Sequence, residues 1–230
     1  MSCIAIITAR GGSKRIPRKN IKEFNGKPML AYAVETALKS GIFDEVMVST
    51  DDLEIAQTGK KYGAKVPFMR SDKTANDFAS TEDVLEEVII EYKKLGRNFD
   101  EICCIYPCVP LLSADTLKEA YNQFKTSDCD ALMPVVRFSF PIQRAVIKTE
   151  NNYIKYREPE NAEKRSQDLE PTFHDTGMFY FLKNDVFAAY KTLVPEKTIL
   201  FEMKESQIQD IDNIEDWKMA EIKYGIMNNV

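Results

Sequence analysis

The chain has 230 residues, 44% of them hydrophobic and 29% charged, which suits one sizeable α/β domain or a domain with a modest insertion. Its net charge of −5 argues against a generic binder of nucleic acid or membrane surfaces, since those partners reward positive charge. Five cysteines without a Cys-x-x-Cys, and a single histidine, argue against a disulfide framework or a zinc site.

Taken in chain order, CIAIITA is a short apolar run rich in β-branched residues and reads as a buried strand. The run turns basic after one strand's length, too short for a secretory leader. Nothing later approaches the ~18 apolar residues of a membrane span. A soluble, cytoplasmic protein with reduced thiols is expected. The strand opens into ARGGSKRIPRKN, at the strand end where open parallel sheets bind ligands. Gly11 and Gly12 allow backbone N–H groups to approach a ligand closely. Arg10, Lys14, Arg15, Arg18, Lys19 and Lys22 surround them, with no carboxylate before Glu23. The pattern predicts a phosphate site. It is not a P-loop, because Ser-Lys-Arg follows Gly12, nor a dinucleotide fingerprint, because the loop runs on through Ile16 and Pro17. The plainer alternative is a solvated basic turn or an RNA-touching patch, although no aromatics interleave for base stacking.

PMLAYAVETALKSG follows as a helix, with Pro28 at its first turn and Gly41 just past its end. EVMVSTD is a second strand, LEIAQTGKKYG a second helix and AKVPFM a short third strand. The polar loop RSDKTANDFAS leads to the helix STEDVLEEVIIEYKKLG, whose Ser80 and Asp83 have capping-box spacing. EICCIY is apolar on both faces, as a central parallel strand should be. ADTLKEAYNQFK is helical and ALMPVV a strand, and the alternation predicts a mostly parallel, Rossmann-like sheet flanked by helices. Between about residues 137 and 176 the rhythm breaks into a polar stretch, which reads as an inserted arm that covers the site or meets a second subunit. TGMFYFL, NDVFAAYKTL, KTILFEM and a helix from Ile214 to Tyr224 complete a single domain spanning 1–230.

At this point a family resemblance enters. ARGGSKRIPRKN is similar to the first motif of the cytidylyltransferases that activate nine-carbon acidic sugars. KPMLAYAVETAL, VMVSTDD, the Arg70–Thr81 loop and QDIDNIEDW follow in that family's order, so the resemblance spans nearly the whole chain. The Lys-Arg-Ile-Pro form of the loop, FPIQRA, RSQDL and FHDTGMFYF look most like the pseudaminic acid branch. The resemblance implies a nucleotide-diphospho-sugar transferase type of fold, a homodimer with exchanged arms, and Mg²⁺. The implied reaction joins CTP and a 2-keto sugar acid into a CMP-sugar and pyrophosphate.

By position in the motifs, Arg10, Gly11, Gly12, Ser13, Lys14 and Lys19 are implied to meet the triphosphate, and Asn20 the nucleotide. Arg70, Ala79, Ser80 and Thr81 are implied to line the nucleoside pocket, and Asp210 and Asp212 to hold the metal. Lys14 and Lys19, with the two aspartates, take the catalytic roles. The sequence departs from the sialic acid enzymes at Arg15 (glycine there), Tyr106 (glutamine), Gln143 (lysine) and Thr176 (asparagine). The last three fall on the sugar side, so the nucleotide half is kept and the sugar half altered. That favours pseudaminic acid over N-acetylneuraminate, with legionaminate and the eight-carbon acid Kdo as alternatives.

Individual residues have competing readings. Asp210 and Asp212 project to one face of an extended segment and suit a hard cation, yet Asp212 or Asn213 is also well placed to cap the final helix. Asp51 and Asp52 read as helix caps and stay outside the site. Arg165 and Gln167 are candidates for the sugar carboxylate and hydroxyls, or simply belong to a polar arm. His174 is a further sugar candidate. A nucleotide-sugar-dependent glycosyltransferase also carries Asp-x-Asp, but normally near mid-chain. A non-catalytic nucleotide-binding module is the third reading.

Overall fold

The structure, a computed structural model, describes residues 1–228. The first half of the chain contains β1 (Cys3–Thr8), the small hairpin β2 (Glu23–Phe24) and β3 (Lys27–Pro28), α1 (Met29–Ser40), β4 (Glu45–Ser49) and α2 (Leu53–Lys61). α3 (Asp72–Ala75), α4 (Thr81–Lys94), β5 (Glu101–Ile105) and α5 (Ala114–Thr126) follow. The second half has β6 (Ala131–Arg137), β7 (Val146–Lys148), β8 (Ile154–Tyr156), β9 (Phe173–Asp175) and β10 (Phe179–Lys183). It ends with α6 (Asn184–Tyr190), β11 (Thr198–Glu202) and α7 (Ile214–Asn228).

The main sheet has the order β11-β6-β10-β5-β1-β4, with β9 beside β6. β1, β4, β5, β6 and β11 run one way and β9 and β10 the other, so it is mixed but mostly parallel. Alternation along the strands supplies two apolar faces. Ala5, Ile7, Cys103 and Ile105 pack with Leu30 and Val34 of α1, Ile55 of α2 and Leu117 of α5. Ile4, Ile6, Ile102 and Cys104 pack with Leu85 and Val88 of α4 and Phe187 of α6. The sheet is thus buried on both sides, and no described helix is long and apolar enough to cross a membrane.

A third, smaller cluster joins Ile16, Phe24, Met29 and Tyr32 to Ile211, Trp217 and Ala220. Trp217 meets the Phe24 ring edge-on at 5.4 Å. This cluster fastens the C-terminal segment to the basic loop.

Three local expectations change. AKVPFM forms only a single bridge, Met47 to Lys65, because Pro67 removes a donor and ends the pairing. α7 continues past Tyr224 to Asn228. Within the stretch read as an arm, β7 and β8 pair only with each other, while β9 returns to the main sheet and pairs Phe173 with Arg137. Pro134 sits within β6 where its antiparallel neighbour changes from β10 to β9, so the missing N–H falls at a break in that ladder.

Glu45 is a buried carboxylate at the edge of this core. It accepts from Tyr92 Oη at 2.6 Å, from Lys65 Nζ at 2.8 Å and from Arg97. Burial alone pushes its pKa up, but the three donors outweigh it and hold Glu45 below the ordinary 4.5. Its stabilisation is therefore complete above pH 4.5 and lost as the pH falls through the lower native value. Glu45→Gln should cost about 2–3 kcal/mol at pH 7 and flatten the acid limb of stability, measured by urea unfolding between pH 3 and 7. An unchanged acid limb would count against this assignment.

Candidate active site

The basic loop leaves β1 at the strand's carboxyl end, and Ala9 N still donates to Ser49 O at 2.9 Å. Beyond it lies a cavity of about 380 Å³ whose walls include Arg10, Ser13, Lys14, Lys19, Asn20 and Asp212. Asn20 is buried, donating from Nδ2 to Arg10 O at 2.8 Å and accepting from the Cys108 thiol at 3.3 Å. Burial pushes that thiol up to about 12, which keeps it a neutral donor. Lys19 Nζ donates to Ile211 O at 2.6 Å.

The cations are not the bare cluster that the local sequence suggests. Arg18, with φ +56°, pairs with Asp52 and Glu54; Arg10 and Lys14 share Asp77; Arg15 pairs with Asp212 at 2.6 Å. Like charges crowded in one loop repel, and acids distant in sequence relieve that repulsion. Gly11 has a structural partner too: its N–H donates to Asp51 at 2.9 Å, and an added Cβ there would lie 3.0 Å from the Asp52 side chain. Gly12 has open space on its Cβ side. Asp52 also caps α2, accepting from Glu54 N and Ile55 N, as two acids before a helix suggested.

A second cavity, of about 280 Å³, shares Thr8 and Arg10 with the first and adds Arg70, Ala79, Ser80, Thr81 and Tyr106. Arg70 is buried, donating to Ser49 Oγ at 3.1 Å and Ser49 O at 2.8 Å. Loss of water pushes its pKa down to about 10, and among the described residues no carboxylate lies within ion-pairing distance. Ser80 caps α4 through the expected reciprocal bonds with Asp83. Tyr106, expected on the sugar side, shares a hydrogen bond of 3.1 Å with Thr81 in this cavity.

A third cavity, of about 260 Å³, is lined by Arg137, Phe138, His174, Asp210 and Lys223 among others. His174 Nδ1 lies 2.9 Å from Asp175 O. Asp210 and Asp212 thus border different cavities, and buried Ile211 between them is held in the aromatic cluster. They still sense each other: loss of water first, then the charge of Asp212, raises the pKa of Asp210. No group of three or more His, Cys, Asp or Glu converges for a metal ion among the described residues. The pair suits a hard divalent cation that takes its remaining ligands from phosphate and water.

The other sugar-side candidates are scattered. Gln143 donates to Glu170 O, Arg165 forks onto Asp168 within the arm, and Gln167 is exposed beside it. Thr176 is buried and donates to Pro134 O at 3.2 Å. None of these four lines the three cavities. Sequence reasoning missed Asp77, although its position between Arg70 and Ser80, in a loop assigned to the nucleotide, was a usable signal.

A mostly parallel sheet flanked by helices, with paired cavities at the carboxyl ends of β1 and β5, places this chain among α/β proteins that carry their site at the strand ends. A solved CMP:2-keto-3-deoxy-manno-octonic acid synthetase complexed with CTP superposes with a TM-score of 0.70 at 19% identity, over 100% of both chains. The chain belongs to the cytidylyltransferase family, which it matches over residues 4–224. It is 41% identical to a pseudaminic acid cytidylyltransferase of Campylobacter jejuni subsp. jejuni serotype O:2, covering 98% of this chain and 97% of that one. A second, from serotype O:23/36, is 39% identical with the same coverage.

Proposed function

We propose that this cytidylyltransferase transfers CMP from CTP to the anomeric hydroxyl of a nine-carbon 2-keto sugar acid, pseudaminic acid, releasing pyrophosphate. The observation that carries the reading is a cation-walled cavity joined through Arg10 to a nucleoside-sized one containing buried Arg70. The choice of sugar is supported by two relatives near 40% identity that bear that sugar's name.

In this reading Arg10, Lys14 and Lys19 neutralise the departing pyrophosphate, and Ser13 and Asn20 hold the phosphates in register. Arg70, Ala79, Ser80 and Thr81 seat the nucleoside. Asp210 and Asp212 would hold Mg²⁺, which supplies charge stabilisation at the phosphate oxygens and lowers the pKa of the attacking hydroxyl. With Nδ1 donating to Asp175 O, His174 keeps Nε2 as an acceptor for a sugar hydroxyl. Gln143, Arg165 and Gln167 reach a sugar only if the arm of one subunit serves its partner's site. Exposed Phe140, Tyr153 and Ile154 on the arm support such a homodimer. CTP use, and five cysteines that are all free in the structure, fit the cytoplasm.

Pyrophosphate release from CTP and Mg²⁺, measured with pseudaminic, legionaminic, N-acetylneuraminic and Kdo acids, tests the reading. Pseudaminic acid should lead in kcat/KM by about tenfold or more. A lead for another acid overturns the sugar assignment. No release with any of them overturns cytidylyl transfer, and a glycosyltransferase would release none.

A further inference from the structure

We infer that Asp77 competes with phosphate by bridging the cations at the junction of the two cavities, so that CTP and the product pyrophosphate must both displace it and pyrophosphate leaves more readily. The inference rests on the reading that Arg10 and Lys14 meet the triphosphate. Asp77 Oδ1 accepts from Arg10 at 2.8 Å, and its other oxygen pairs with Lys14. Arg10 belongs to both cavities, Lys14 to the first and Asp77 to the second, so the bridge crosses their shared border. Asn76 shapes the tip: its Oδ1 accepts from Phe78 N at 2.8 Å and Ala79 N at 3.0 Å, and Arg10 reaches Asn76 O at 3.3 Å. The base of this loop is fastened separately, through Glu87 to Ser71 and Thr74. The tip itself is open to solvent, with Phe78 96% exposed.

A carboxylate between two cations occupies the place of a phosphate oxygen. A ligand that takes those cations must displace it. CTP, spanning both cavities, offsets the broken bridge with phosphate contacts on one side and nucleoside contacts on the other. Pyrophosphate must open the same bridge, so the cost falls on both ligands and hastens release of the product.

Calorimetric titration of CTP and of pyrophosphate, each with Mg²⁺, into the wild-type protein, Asp77→Asn and Asp77→Ala tests this, with Asp72→Asn as a control on the same loop. Asp77→Asn and Asp77→Ala should bind pyrophosphate about fivefold tighter and show stronger product inhibition by the same factor, with a gain of similar size for CTP. Asp72→Asn should match the wild type. A structural role for Asp77 predicts weaker binding, so unchanged or weaker pyrophosphate affinity in both variants overturns the inference. Lys14→Met separates the two levels. If it weakens CTP binding while the Asp77 variants gain nothing, only the bridge is wrong; if it leaves CTP affinity unchanged, the phosphate reading fails as well.

Discussion

Asp210→Ala is expected to lose about 10³-fold or more in kcat for pyrophosphate release, while CTP affinity and cooperative unfolding stay close to wild type. The asymmetry follows from where the residue sits. Asp210 has no described ion-pair partner, caps no helix and lies outside the apolar clusters, so its removal leaves no cavity and no orphaned cation. Its carboxylate instead loses water and stands near a second one at Asp212, a cost that Lys19 and Arg15 offset only in part. Asp212→Ala is a less clean experiment, because it also frees Arg15. Asp210→Asn should fall nearly as far, since it keeps the shape and removes the charge. Titration with Mg²⁺ in the presence of CTP supplies the second measurement: the apparent affinity for the metal should drop together with kcat. Full turnover by the alanine variant would refute the metal assignment.

Trp217→Ala is expected to be the most destabilising of these substitutions, by about 3–5 kcal/mol, equivalent to a fall in Tm of roughly 8–15 °C for a chain of this size. Trp217 is 4% exposed, packs edge-on against Phe24 and lies under the Lys22 ammonium at 5.5 Å. Its indole N–H donates to Glu221 at 3.0 Å. The same cluster contains Ile211, whose burial between the two aspartates aims both away from the core. Loosening it should therefore lower kcat/KM for CTP by about tenfold even well below the new Tm, because Asp212 and the Lys19 partner Ile211 lose their fixed position. Trp217→Phe should recover most of the stability. A Tm unchanged in the alanine variant would mean that α7 is not anchored through this residue.

Much of the architecture was legible because local patterns and tertiary demands agree. CIAIIT and EICCI are apolar on both faces and became adjacent central strands, and Ser80 and Asp83 closed a capping box at the predicted helix start. The basic loop and the Asp-x-Asp were visible as composition. Their mutual arrangement was not. Arg15 meets Asp212 across 197 residues of sequence, and Asp77 reaches Arg10 and Lys14 from more than 60 residues away. Such pairings are set by topology, and no local period records them. The partner of the Gly11 amide, Asp51, lies 40 residues on at the end of a different strand, so that contact was not visible locally. AKVPFM failed as a strand for a more local reason, the proline in its middle.

The pairing of Arg137 with Phe173, reinforced by Phe138 N donating to Thr172 O at 3.0 Å, closes the inserted segment at its root like a clasp. Whatever is threaded between those two residues is spared the constraints of the seven-stranded sheet. Doubling its length adds only ~0.6 kcal/mol of closure entropy. A change in the length of this segment is therefore absorbed at its root without altering a register of the main sheet.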